Sequence, residues 1–148
     1  MTVQVTGNFS KAKELIEKLK SGSQKAVYVG FPAEFNEKVE GSDNFNLASL
    51  AAVLEFGNER IPSRPFLRQT LAENQNKYIE LFVDLIGKGL SVEQVYKQIA
   101  SIAQGDVQLN IAKGDWVANA ESTIKRKGSD KPLIDIGTMR QSVIGIVK

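Results

Sequence analysis

The stretch Ala48–Leu71, ASLAAVLEFGNERIPSRPFLRQTL, decides the fold. It reads as an apolar helix, a stop at Gly57, a charged turn holding Pro62 and Pro65, and a second helix starting near Pro65. Asn46 is placed to cap the first helix, because its side chain can accept a free amide of the first turn. Leu47, Leu50, Ala51 and Leu54 form the stripe to be buried, and Ala48, Ala51 and Ala52 are small enough to let another element approach. Gly57 suits a left-handed helix end, and the prolines fix φ at two points of the turn. The expected product is a stiff, exposed corner between two helices, whose role is contact and not catalysis.

Upstream of the corner, residues 2–6 alternate as a short strand would, with Val3 and Val5 on one side. Phe9–Lys20 carries Ala12, Leu15, Ile16 and Leu19 at helical spacing, and Ser21-Gly22-Ser23 ends that helix. Ala26–Val29 is a compact strand bounded by Gly30 and Pro32. Residues 31–46 read as an exposed loop.

Downstream, Leu67, Leu71, Tyr78, Phe82 and Leu85 predict one helix from Pro65 to Leu85 or Ile86, stopped by Gly87-Lys88-Gly89. Ser91–Gln94 matches a capping box. Val92, Val95, Tyr96, Ile99, Ile102 and Ala103 then continue with helical period. Val107, Leu109 and Ile111 also alternate like a strand, but a helix continued to about Val117 is preferred because no turn cluster follows Gln104. After Trp116 the periodicity ends. Gly128, Pro132 and Gly137 mark an extended arm with a short helical turn at Thr138–Gln141, and Ser142–Val147 forms a closing strand. Together these readings predict one α+β domain. A small, mostly antiparallel sheet packs on several helices, with a long central helical segment and an extended C-terminal arm.

Composition narrows the chemistry. The 148 residues are 42% hydrophobic and 24% charged, with a net charge of +2, as in globular chains. Cys and His are both absent, which removes thiolate or imidazole metal sites and His-dependent triads. MTVQVTGNFSKAK lacks the basic start and apolar run of a signal peptide, and no apolar stretch is long enough to cross a membrane. Glu55 and Glu59 lie four apart, but nothing around them suggests carboxylates with separated pKa values. They read more simply as partners of Arg60, Arg64 or Arg68. Residues 41–46, GSDNFN, lack the ligand order of a calcium loop. No enzyme activity, metal or cofactor is therefore expected.

Two contact surfaces remain. Lys125-Arg126-Lys127, with Lys131 and Arg140, could meet phosphates, giving a nucleic-acid-binding module as the alternative function. Glu121, Asp130 and Asp135 dilute that basic arm, and no aromatic ladder accompanies it, so nucleic acid is not favoured. The corner offers Phe56 and Phe66 on its flanks. The arginines at 60, 64 and 68 suit bidentate contacts with carboxylates on a neighbour. Trp116 reads first as a core anchor and second as an interface residue.

The corner and the arm together resemble the virion morphogenesis proteins of tailed phages, small tail-completion or head–tail joining proteins that include Mu-like prophage relatives. Residues matching the first motif are Glu55, Phe56, Gly57, Ile61, Pro62, Arg64, Pro65, Phe66 and Arg68. Trp116 precedes the second motif, matched by Lys127, Gly128, Pro132, Leu133, Asp135, Gly137 and Ser142. The chain departs from the pattern at Leu54, where many relatives carry a polar residue, and at Ile136, where Thr is usual. The resemblance covers roughly residues 47–147. It implies an α+β subunit without enzymatic activity that assembles with copies of itself into a ring at the neck or tail end. Its other partners would be tail or neck proteins, with no membrane involved. Assembly would take place in the host bacterial cytoplasm, and the product would be a virion component. The candidate contact residues are then Glu55, Phe56, Arg60, Pro62, Arg64, Pro65, Phe66, Arg68, Trp116, Lys127, Pro132 and Asp135.

Overall fold

The computed structural model describes Gly7, residues 10–35, residues 46–113 and residues 138–148. The expected strand at 2–6, most of the loop before Asn46, Trp116, the basic arm, Pro132 and Asp135 lie outside the described residues. The order of elements is α1 (Ser10–Gly22), β1 (Val27–Gly30), a 3-10 turn (Ala33–Phe35), α2 (Leu47–Phe56), α3 (Phe66–Glu73), α4 (Gln75–Gly87), α5 (Val92–Lys113), α6 (Thr138–Gln141) and β2 (Ile144–Val147). The fold is α+β: helices dominate, and β1 and β2 form a small antiparallel sheet packed against them.

The long helix α5 is the axle. Its buried residues Val92, Val95, Ile99, Ala103, Val107 and Ile111 recur every three or four positions, so two flanks of one helix each meet a partner layer. Leu109 faces out while Val107 and Ile111 face in, which is helical geometry and excludes the strand alternative over this stretch. The end expected near Val117 falls beyond the described part of α5. Ser91 and Gln94 form the capping box: the Ser91 amide donates to Gln94 Oε1 at 2.9 Å and the Gln94 amide to Ser91 Oγ at 3.2 Å.

One core cluster joins α2, α3, α6 and the residue just before β2 to α5 through Leu47, Ala51, Phe66, Val107, Ile111, Met139 and Val143. Phe31 meets Phe66 edge-on, with centroids 6.5 Å apart. A second cluster joins α4 to α5 through Leu85, Val95 and Ile99, with Tyr78 and Phe82 packed against it. The small sheet lies on α5 at Gly145, where a Cβ would sit 2.1 Å from the Ala100 carbonyl oxygen, so only glycine fits this approach.

Two expectations need correction, and one expected helix is less covered than its neighbours. The single helix from Pro65 to Leu85 is two helices hinged at Asn74. There the Asn74 side-chain amide donates to the Thr70 carbonyl at 2.8 Å and competes with the backbone ladder. Both helices contact α5, α3 burying Phe66 and Thr70 and α4 burying Leu85. The strands are also shifted. Val27–Gly30 replaces Ala26–Val29, and β2 starts at Ile144 because Ser142 closes the α6 turn on Thr138 O at 3.0 Å. Finally, the apolar stripe of α1 is mostly uncovered: Leu15, Ile16 and Leu19 are between 43% and 49% exposed. This helix is held at its C-terminal end, where Gly22 seats against Val92.

Asp106 ties α4 to α5. Lys77 Nζ donates to it at 2.7 Å and 2.8 Å, and the Tyr78 hydroxyl donates to it at 2.8 Å. Burial, then the hydrogen bond to Asp106 and its negative charge, push the Tyr78 phenol well above its ordinary value. A raised folded-state pKa means that the contribution is fully present below the unfolded value of 10.0. It is lost as pH climbs from there through the folded value. Alkaline titration followed by tyrosinate absorbance is therefore expected to show a late-ionising phenol that Tyr78→Phe removes. An unchanged titration curve for that variant would mean that the hydrogen bond does not persist in solution.

Candidate functional site

The corner is built from the end of α2. Asn46 caps the start of that helix, accepting from the Ser49 amide at 2.9 Å. Gly57 closes it with φ 70° and ψ 179°, and its amide donates to Val53 O at 2.8 Å. The positive φ agrees with the sequence reading, but the extended ψ sends the chain straight out of the helix. A Cβ at this position would lie 2.6 Å from Ser63 N and 2.8 Å from Ile61 O. The turn thus doubles back against the glycine itself.

Asn58 makes the turn. Its Oδ1 accepts from the amides of Arg60 at 2.9 Å and Ile61 at 2.8 Å, while its own amide donates to Ile61 O at 2.8 Å. Two ties then pin the returning chain to α2. Ser63 Oγ donates to Glu55 O at 2.7 Å, and the Arg64 amide donates to Leu54 O at 2.7 Å. At Pro65, φ −77° and ψ 58° form an inverse γ-turn, closed by the Phe66 amide donating to Arg64 O at 2.8 Å.

Pro65 occupies the N-cap position of α3 and has no polar side chain to offer. The cap comes from another helix. Glu55, in the last turn of α2, directs its carboxylate at the start of α3, where Oε2 accepts from the Leu67 amide at 2.9 Å and Oε1 from the Arg68 amide at 3.0 Å. Arg68 Nε adds a third bond to Oε1 at 2.8 Å, and its NH2 group reaches Glu55 O at 3.1 Å. The carboxylate sits on the positive end of the α3 dipole and satisfies two amides that would otherwise lack partners. Thr70 and Asn110 hold α3 onto α5 through a 2.7 Å bond from Asn110 Nδ2 to Thr70 Oγ1.

The corner residues therefore divide into two groups. Glu55 (3% exposed), Arg64 (4%) and Phe66 are buried and hold the corner together. Burial lowers the Arg64 guanidinium pKa below its ordinary value, and Arg64 is not left without a partner. The expectation that arginines 60, 64 and 68 all reach carboxylates of a neighbour is thereby corrected: Arg64 is inside, and Arg68 is paired with Glu55 of its own chain. Glu59 makes no ion pair among the described residues.

Phe56, Arg60 and Pro62 are exposed, and Pro65 is half-buried. Phe56 is 65% exposed, and the Arg68 guanidinium stacks over its ring with its carbon 4.8 Å from the centroid. Asn58 and Ser63, which set the turn, were not among the candidates. A Gly-Asn pair after an apolar helix was the available signal for the first, and nothing local marked the second.

Chemically, the site's polar groups are used internally. The Glu55 carboxylate accepts three hydrogen bonds, and among the described residues no second carboxylate is paired with it. Among the described residues no cluster of Asp or Glu could hold a metal ion, and no helix is long and apolar enough to cross a membrane. What remains available is a rigid presenting surface of Phe56, Arg60 and the outer face of Arg68. Comparison of the chain with protein-family models, curated proteins and solved structures finds no match.

Proposed function

We propose that the chain is a structural subunit of a tailed-phage or prophage particle. It acts in tail completion or head–tail joining through ring assembly with further copies of itself. The observation that carries this reading is the division of labour within the first motif. Glu55, Gly57, Arg64, Pro65 and Phe66 are consumed in building the corner, and the result is a pre-ordered Phe56–Arg68 pair held out from the subunit. An aromatic ring with a stacked guanidinium on a rigid support is the kind of group that anchors protein interfaces, since little entropy remains to be lost on binding. A head-to-tail contact from this corner to a different patch of the next subunit closes into a ring when the rotation permits. The further partners are tail or neck proteins, met in the host bacterial cytoplasm during assembly of the virion.

The burial pattern dictates the test. Arg64 is an unsuitable probe, because its substitution damages the corner itself. Phe56→Asp with Arg60→Glu changes only exposed side chains and is expected to leave the thermal transition within about 2 °C of the parent. The same variant is expected to abolish rings seen by light scattering and electron microscopy, along with co-purification of co-expressed neck or tail proteins. Assembly unaffected by the double substitution would remove the corner from the interface. Genes for portal, capsid or tail-tube proteins flanking this one are the expected genomic setting.

A further inference from the structure

Helix α1 is nearly bare. Of its 13 residues only Gly22 is buried, and the apolar residues Leu15, Ile16 and Leu19 are exposed. An isolated helix shorter than about 12–15 residues is marginal in water, and packing of an amphipathic face supplies most of the stability of such helices in proteins. The charges of α1 are ordered round its apolar stripe. At about 3.6 residues per turn, Lys11 and Lys18 fall along one border of the stripe and Lys13 and Lys20 along the other, with Glu14 and Glu17 on the far side. Lys18 pairs with Glu14 and Lys20 with Glu17, whereas Lys11 and Lys13 make no ion pair among the described residues.

A second apolar strip is bare on α4. Ile79 and Val83, one turn apart, are 54% and 63% exposed. Glu80 and Asp84 are the next residues round the helix and border the strip on its solvent side. Asp84 holds Lys88, and Glu80 makes no ion pair among the described residues. The α1 and α4 strips are both exposed in one subunit, so they do not cover each other there. Their borders carry opposite charge. Two α1 stripes laid together would set lysines against lysines, and two α4 strips would set carboxylates against carboxylates. A lysine-bordered stripe also suits an anionic lipid surface, but this one is short and holds no aromatic residue among the described positions.

We propose that α1 of one copy lies along the Ile79–Val83 strip of α4 on a second copy, with its lysine borders beside the carboxylates. The occupant follows from the charge pattern, since each strip is repelled by its own kind and matched by the other. Each copy then carries one helix that docks and one strip that receives it, so the contact is heterologous. The apolar face that α1 leaves bare in the single subunit is covered in the pair. The contact does not rest on the tail-completion reading, because it needs only two copies of the chain and leaves Phe56 and Arg60 untouched.

The chain has no cysteine, so single substitutions report the contact cleanly. In a dilute mixture of Ile16→Cys and Val83→Cys under mild oxidation, the mixed disulfide is expected to form about tenfold or more faster than the one between Ile16→Cys and Leu109→Cys, an exposed control on α5. A second arm reverses the charges. Lys11→Glu with Lys13→Glu in the Ile16→Cys chain is expected to slow the mixed disulfide about threefold or more, and Glu80→Lys in the Val83→Cys chain to restore its rate. A mixed rate equal to the control, or charge reversal without rescue, overturns the proposal. An Ile16→Cys thiol that is slow toward every partner also overturns it, and is the result expected if residues 1–6 or 36–45 of the same chain cover the stripe. Co-sedimentation with phosphatidylglycerol vesicles that Ile16→Asp abolishes, with the mixed disulfide at the control rate, would assign the stripe to a lipid surface instead. Phe56→Asp with Arg60→Glu is expected to leave the mixed rate unchanged, so a failure here and a failure of the corner are read separately.

Discussion

Glu55→Ala is expected to destabilise the chain by about 4 kcal/mol, from the loss of charge-assisted bonds of about 1.5–3 kcal/mol and a cap of about 1 kcal/mol that are not fully additive. The midpoint of thermal unfolding should fall by about 10 °C. The carboxylate is buried and accepts from two backbone amides and one guanidinium nitrogen, so its removal orphans donors at the start of α3 where Pro65 provides no substitute. Glu55→Gln keeps the shape and one acceptor and should cost about half as much. Arg68→Ala is the discriminating control. The Arg68 side chain is 58% exposed, so losing its ion pair and its stacking on Phe56 should cost about 1 kcal/mol. If Arg68→Ala costs as much as Glu55→Ala in chemical denaturation, the ion pair and not the helix cap is what holds the corner.

That role of Glu55 was only half legible in the sequence. The local devices were readable because their physics lies within a few residues: the Asn46 cap, Gly57 at positive φ, the Ser91–Gln94 capping box and the period of α5. A carboxylate that caps a different helix more than ten residues away leaves no spacing rule to find. The sequence reading of Glu55 as a partner of Arg60, Arg64 or Arg68 agrees with the Glu55–Arg68 pair, but the capping of α3 was not legible. The pairing arises because the Asn58 turn and the Pro65 γ-turn bring α3 back against the last turn of α2.

The helix hinge shows the opposite limit. Leu67, Leu71, Tyr78 and Phe82 share a helical period across Asn74, and periodicity alone cannot report a change of axis direction. The break falls at Asn74, whose side-chain and backbone amides both donate to Thr70 O. The α1 stripe was equally legible as a period, but burial is a property of the partner and not of the stripe. Leu15, Ile16 and Leu19 have the spacing of a core face and stand exposed.

Gly145→Ala is expected to cost about 3–4 kcal/mol, at or beyond the upper end of overpacking penalties, because the obstruction is main chain. The new Cβ would lie 2.1 Å from Ala100 O and 2.7 Å from Ala100 C, so β2 must lift from α5. Lifting breaks the hydrogen bond that the Gly145 N–H donates to Gln104 Oε1 and disturbs the Val29↔Gly145 pair. A second substitution separates this cause from ordinary crowding. Ala100→Gly removes a methyl group but leaves the carbonyl in place, so it should not rescue Gly145→Ala. At Gly22 the corresponding obstruction is the Val92 side chain, and Val92→Ala removes both Cγ atoms but keeps Cβ at 2.8 Å, so it should recover part of the loss from Gly22→Ala. The two urea-denaturation cycles should therefore differ, with coupling near zero at the strand and favourable by about 1 kcal/mol or more at the helix. Rescue of Gly145→Ala by Ala100→Gly would mean that β2 does not ride on the α5 backbone.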